Sequence, residues 1–143
     1  MDTSLSAVFG CLEDKRVNYS DTVLAVNLGN GHTVAAVMED MRILGFFEHH
    51  TGRLSQEKLE NLLEKLVEGN LTHKEVFDDG GHGVVLLREM PGLKELDHII
   101  STGPRRALLE DSELDVIQAS PGGDVMMTGT IGILSAAIGQ LTR

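Results

Sequence analysis

Tryptophan is missing from this chain, and its aromatic residues are Tyr19 and the phenylalanines Phe9, Phe46, Phe47 and Phe77. So thin a supply argues against a platform on which nucleic-acid bases stack. Cysteine occurs once, at Cys11. That excludes a disulfide framework within the chain and a three-cysteine iron–sulfur site, and it suits a reducing compartment. Basic residues are scarce too: 12 Lys and Arg stand against 22 Asp and Glu, a net charge of −10. Nucleic-acid affinity rests mainly on cations that neutralise phosphates, so no nucleic-acid partner is expected. No apolar run approaches the ~20 residues of a spanning helix, and the start, MDTSLSAVFG, lacks the basic region of a secretory leader. These absences predict a soluble, cytoplasmic protein with no membrane partner.

What is present fits one domain over residues 1–143, long enough to bury roughly 68–70% of its unfolded surface. Leu5, Val8, Phe9 and Leu12 fall at helical spacing in an N-terminal arm that Thr3 or Ser4 could cap. Three strands are expected at 22–28, 32–39 and 42–48, with Gly29-Asn30-Gly31 and Glu39-Asp40 at the turns. Consecutive hairpins make an antiparallel meander. From Ser55 to Glu68, Leu59, Leu62, Leu63, Leu66 and Val67 repeat at i, i+3, i+4, i+7 and i+8, with Ser55 as N-cap and Gly69 as C′ residue. This stripe predicts a core-facing helix.

Residues 73–83 are polar and glycine-rich and read as a loop, followed by a short strand at 84–87 and a helical turn at 93–96. Strands at 97–101 and 114–119 each precede a turn and a helix, the first helix ending at Leu109 and the second running from Val125 to about Ile138. Strand–turn–helix repeats of this kind imply parallel strands with crossovers. The expected fold is therefore α/β: a mixed five-stranded sheet, with a three-strand antiparallel meander and helices on both faces. That layout is ribonuclease H-like, and it resembles one lobe of the actin-like ATPases, sugar kinases and chaperone ATPases.

Four groups of residues carry candidate chemistry. At the first hairpin, the backbone amides of Gly29, Asn30 and Gly31 can form an anion-binding concavity, with Asn27, His32 and Thr33 beside it. The alternative is an ordinary turn in which Asn30 and Gly31 adopt positive φ. His32, His49, His50 and His82 lie near Glu48, Asp78 and Asp79. Imidazole and carboxylate groups bind transition metals or act as a general base. The expected metal set is Glu48, His49, His50, Asp79 and His82; the expected acid–base set is His32, His49 and His82, with His32 and His49 meeting at strand ends. His73 and His98 read as exposed loop residues.

Arg105-Arg106 follows Pro104 in the first turn of a helix, where guanidinium forks and helix amides suit an anion, and Gly103 permits close approach. The plainer reading is a surface ion pair with Glu110. Asp124 reads as an N-cap, and Met126 and Met127 as core filler.

The string Asn27-Leu28-Gly29-Asn30-Gly31-His32-Thr33 resembles the Asp-x-Gly-x-x-x-Thr phosphate hairpin of the actin-like superfamily, with Asn where that pattern has Asp. Ile99 to Pro104 resembles the strand-and-glycine turn that the superfamily sets beside the adenosine, with Thr102 and Gly103 in the turn. More closely, VNLGNGHT, GFFEHHTG, DDGGHG, TGPRR and GDVMMTG, in this order over about residues 23–129, resemble a prokaryotic family labelled "putative pyruvate formate-lyase activating enzyme".

The resemblance implies the C-terminal lobe of a longer, two-lobed protein, partnered by an actin-like N-terminal lobe and possessing a cleft for ATP or a related nucleotide with Mg²⁺, or for another small phosphorylated ligand. It implies an ATPase or phosphotransferase when complete. The neutral Asn27 would orient a ligand but bind a hard cation less well than Asp. The label itself implies a radical enzyme with three closely spaced cysteines, which this chain lacks. The alternatives are a histidine-rich metal- or small-ligand-binding module on the same fold, with a transition metal, and a lobe that only mediates association, for instance as a homodimer.

Overall fold

The computed structural model describes residues 3–123 and 125–141. Helix α1 (Thr3–Cys11) is followed by the meander β1 (Val23–Leu28), β2 (His32–Glu39) and β3 (Arg42–His50). Then come α2 (Gln56–Val67), α3 (His73–Asp78), β4 (Gly83–Leu86), β5 (His98–Thr102), β6 (Val116–Gln118) and α4 (Thr128–Leu141). The sheet has six strands in the order β4-β3-β2-β1-β5-β6. The meander pairs are antiparallel, and β5 and β6 run parallel to β1.

The expected five strands are all in place. The sixth is β4, the short strand placed near 84–87, which pairs with the outer edge of β3. The crossover from β5 to β6 is not an α-helix but a four-residue 3-10 turn, Arg106–Leu109. Among the described residues no helix is long and apolar enough to cross a membrane.

Alternation along β1 divides the core in two. Leu24, Val26 and Leu28 face α2, whose Leu59, Leu62, Leu63, Leu66 and Val67 are all buried. Burying each such side chain stabilises the fold by about 1.5–3 kcal/mol. Val23 and Ala25 face the other way, onto Val8 and Cys11 of α1. Ser55 caps α2 by accepting the Lys58 N–H at 3.2 Å, and Gly69 follows the helix at φ 72°.

The stretch read as a loop at 73–83 holds a helix instead. Thr72 and Glu75 close a reciprocal capping box on α3, which satisfies two otherwise orphaned amides. Met126 and Met127, expected in the core, are exposed. Asp124, expected as a cap, lies outside the described residues.

The β2–β3 turn carries the positive φ angles expected elsewhere, at Asp40 and Met41 (φ 48° and 61°). Glu39 pairs with Arg42 and Met38 with Ile43, but Val37 then pairs with Gly45, so β3 holds one extra residue, Leu44, as a bulge. A single inserted residue exchanges the faces of every side chain beyond it.

Candidate functional site at the ends of the central strands

Asn27 continues the Val23–Ala25 side of β1, on the face covered by α1. Its backbone pairs with Val34 on one side and Thr102 on the other. The residue is 8% exposed, and its amide makes no side-chain hydrogen bond among the described residues. Among the described residues the fully buried side-chain atoms without a partner are Ser101 Oγ and Gln118 Oε1, and the polar atoms of the Asn27 amide keep access to solvent.

What lies over it is Gly103, at φ 99°. A Cβ on Gly103 would fall 2.8 Å from Asn27 Oδ1 and also collide with the Leu28 carbonyl. Glycine is required there for both backbone conformation and space. The turn is held down by the Arg105 N–H, which donates to the Leu28 carbonyl at 2.9 Å, and by Arg106 Nη1, which donates to the Gly103 carbonyl at 3.1 Å.

The hairpin tip stands next to this turn. The Gly29 N–H donates to the His32 carbonyl at 3.0 Å, and the Thr51 N–H to the Gly31 carbonyl at 2.9 Å. Neither Asn30 nor Gly31 has positive φ, so the turn conformation proposed for an ordinary Asn-Gly tip is not the one adopted. Gly29 is needed for its closeness to His32, whose carbonyl would lie 2.7 Å from a Cβ.

Two hydroxyls expected at the ligand each bond a protein hydroxyl. Thr33 points to the α2 side, is fully buried, and shares a 2.9 Å hydrogen bond with Thr51. Thr102 donates to Thr128 at 3.1 Å, and Thr128 donates to the Val125 carbonyl at 2.6 Å. Arg105 is exposed, and the 3-10 turn that Arg106 opens is too short to supply the anion-binding helix N-terminus expected of it. Arg106 lines an open pocket of about 250 Å³ together with Pro104, Ala107, Glu110 and Gln118.

The histidines part company at the bulge. Without Leu44 in excess, the hairpin would set His32 opposite His49; with it, His32 pairs with His50. His49 turns to the α2 face and is fully buried. Its Nε2 lies 3.0 Å from Asp79 Oδ2 and its Nδ1 3.2 Å from the His50 carbonyl. Asp79 also accepts from Lys58 Nζ at 2.9 and 3.0 Å. That ammonium holds the Asp79 carboxyl below the usual carboxylate range, with a smaller contribution from His49.

On the other face His82 is drawn in by its N–H, which donates to the Glu48 carbonyl at 2.9 Å. The rings of His32, His50 and His82 form a near-equilateral group with centroids 4.7, 5.1 and 4.8 Å apart. Burial lowers the His50 pKa, and the neighbouring His32 and His82 lower it further. So of the expected metal set the structure gathers His50 and His82, adds His32, and leaves out Glu48, His49 and Asp79. Of the expected acid–base set, His49 is on the wrong side of the sheet. His98, read as a loop residue, opens β5 and bonds Asp21 at 3.0 Å.

A family model described as "Putative pyruvate format-lyase activating enzyme (DUF1786)" matches residues 1–108. No curated protein matches the chain. Among solved structures, the chain is similar to the apo psk41 ParM protein (12% identity, TM-score 0.53), covering 94% of this chain and 50% of that one. It is similar to Ta0583, an archaeal actin homolog (12% identity, TM-score 0.53), over 96% of this chain and 54% of that one. It is also similar to the Alp12 filament structure (10% identity, TM-score 0.50), over 95% of this chain and 53% of that one. The likeness establishes the actin-like fold, and the chain spans about half the length of these proteins.

Proposed function

The chain belongs to this DUF1786 family, and from that premise we propose that it is the nucleotide- or phosphate-binding lobe of a two-lobed actin-like protein. In this reading residues 1–143 form the C-terminal lobe, and the ligand lies between it and an N-terminal lobe. The carrying observation is Asn27, a largely enclosed residue whose amide makes no side-chain hydrogen bond to the protein and keeps access to solvent, set between the Gly29–Gly31 tip and the Gly103 turn. Sheets with parallel strands bind ligands beyond the carboxyl ends of those strands, and Asn27 sits near that end of β1 and opposite that end of β5.

The chemistry assigned to these residues is orientation. The amide would donate to a phosphate oxygen or hold a water, and the Asn30 and Gly31 amides, which make no bond of the kind that holds Gly29, could add to the anion's cradle. A neutral amide is a poor ligand for Mg²⁺, so the metal would be held by the phosphates and the other lobe. This favours binding over hydrolysis as the task of this half.

The activating-enzyme description is not supported by this chain's thiols. Cys11 is fully buried, and burial, reinforced by the charge of Asp14, pushes its thiol far up, whereas an iron–sulfur cluster is held by several thiolates.

Isothermal titration of the full-length protein with ATP, ADP and inorganic phosphate, each with and without Mg²⁺, tests the proposal. Saturable binding is expected, weakened about 2–10-fold in Asn27→Ala, the equivalent of one hydrogen bond. No binding in any combination would overturn it.

A further inference from the structure

We propose that His32, His50 and His82 form a three-histidine site for a divalent transition-metal ion of the zinc type, with a fourth coordination position open to water or an anionic ligand. The argument rests on how differently the six histidines of this chain are used. His49 and His98 each bond a carboxylate, and His73 stacks on Phe77 with centroids 5.9 Å apart. The other three lie ring to ring, with Arg53 near enough to act on His50, and among the described residues their ring nitrogens have no hydrogen-bond partner.

The group is assembled from three separate backbone devices. His32 opens β2 directly after the hairpin tip; His50 ends β3 and faces it through the bulge; His82 is fixed by its hydrogen bond to the Glu48 carbonyl. The candidate ligand nitrogens all lie within 4.8 Å of one another. Tetrahedral coordination with Zn–N bonds of about 2.0–2.1 Å asks for nitrogens roughly 3.3 Å apart. Rings that are half-buried or exposed, as these are, can close that difference by rotating about χ1 and χ2.

Three neutral imidazoles are borderline donors that suit zinc, copper, nickel or iron better than magnesium or calcium. Three protein ligands leave zinc one open position, as in catalytic rather than structural sites. The site needs no nucleotide, so it stands apart from the reading above.

The test uses the full-length protein without a histidine tag. Titration with Co²⁺ and Zn²⁺ in the absence of nucleotide should give one equivalent bound, and the Co²⁺ form should show the visible absorption of a four-coordinate ion. Loss of an outer partner of a metal site typically costs 10–100-fold in affinity, so His50→Ala and His82→Ala should each cost about 100-fold or more. His98→Ala, with its imidazole on Asp21, should leave affinity unchanged. Circular dichroism checks that the variants fold; if His50→Ala does not, the exposed His82 decides. Binding well below one equivalent, or affinity unchanged by His82→Ala, would overturn the proposal.

Discussion

Substituting alanine for glycine at the two turns of the candidate site should have opposite consequences. At Gly103 the backbone has φ 99°, which for a residue with a Cβ costs about 1–3 kcal/mol. The new Cβ would lie 2.7 Å from the Leu28 carbonyl carbon and 2.8 Å from Asn27 Oδ1, against 3.4 Å or more for an ordinary contact. Relieving such overpacking costs about 1–3 kcal/mol. It must also move the Leu28 carbonyl, the acceptor for Arg105 N–H. Because relaxation serves both terms at once, the expected loss for Gly103→Ala is about 2–5 kcal/mol.

Gly31 offers the contrast: its φ is not positive, and no atom would lie within 4 Å of its Cβ. Gly31→Ala should therefore be neutral, or more stable by about 0.4–1 kcal/mol through the unfolded state. Urea unfolding followed by circular dichroism measures both. With a slope of about 1–3 kcal/mol/M, Gly103→Ala should lower the midpoint by roughly 1–3 M. A Gly103→Ala midpoint indistinguishable from the parent would refute the described closure of this turn over Asn27.

Two further outcomes follow from the frame around the site. Asp14 is buried and accepts from Arg16 Nε and Nη2 at 2.7 and 2.8 Å and from the Ser120 N–H at 3.0 Å. The Arg16 guanidinium, with these amides, holds its carboxyl far below the usual range. A depressed carboxylate contributes stability above its unfolded pKa of about 3.9 that fades as pH falls through the folded value. Asp14→Asn should lose about 1.5–3 kcal/mol at pH 7, and its unfolding free energy should fall less than the parent's between about pH 4 and pH 2. An equally steep acid limb would count against this.

The second outcome concerns the α1–α4 crossing, where a Cβ on Gly132 would strike the Ser6 carbonyl and lie 2.6 Å from the Gly10 nitrogen. Gly132→Ala should be destabilising by at least about 1 kcal/mol, because overpacking outweighs the ~0.8–1 kcal/mol gain in helix propensity. Gly139→Ala in the same helix, with open space at its Cβ, should keep the gain. Thermal melts that ranked the two variants equally would contradict the close crossing.

The meander, α2 and the parallel pair were legible in the sequence because each has a local signature: turn dipeptides, a 3.6-residue stripe, glycine after a strand. The Thr72–Glu75 capping box has a local signature too, Thr followed three residues later by Glu, which the reading of 73–83 as a polar loop passed over. What local pattern could not reveal was the bulge at Leu44. Hairpin counting from the Asp40–Met41 turn leads to His32 opposite His49, and one additional residue in β3 replaces that partner with His50. The same slip sends His49 to Asp79 and Lys58. The protein partners of Thr33 and Thr102 were hidden for a related reason. Their hydroxyls are taken by Thr51 and Thr128, partners 18 and 26 residues away that no short motif announces.

The hydroxyl chain from Thr102 through Thr128 to the Val125 carbonyl has a consequence for kinetics. Together with the Arg105–Leu28 and Thr51–Gly31 hydrogen bonds, it ties three backbone segments near Asn27 to neighbours distant in sequence. On the proposed reading, a ligand would meet backbone that needs little reordering, so little ordering entropy would oppose its docking. In that reading a slow phase in binding would report motion of the proposed second lobe and not rearrangement of these segments.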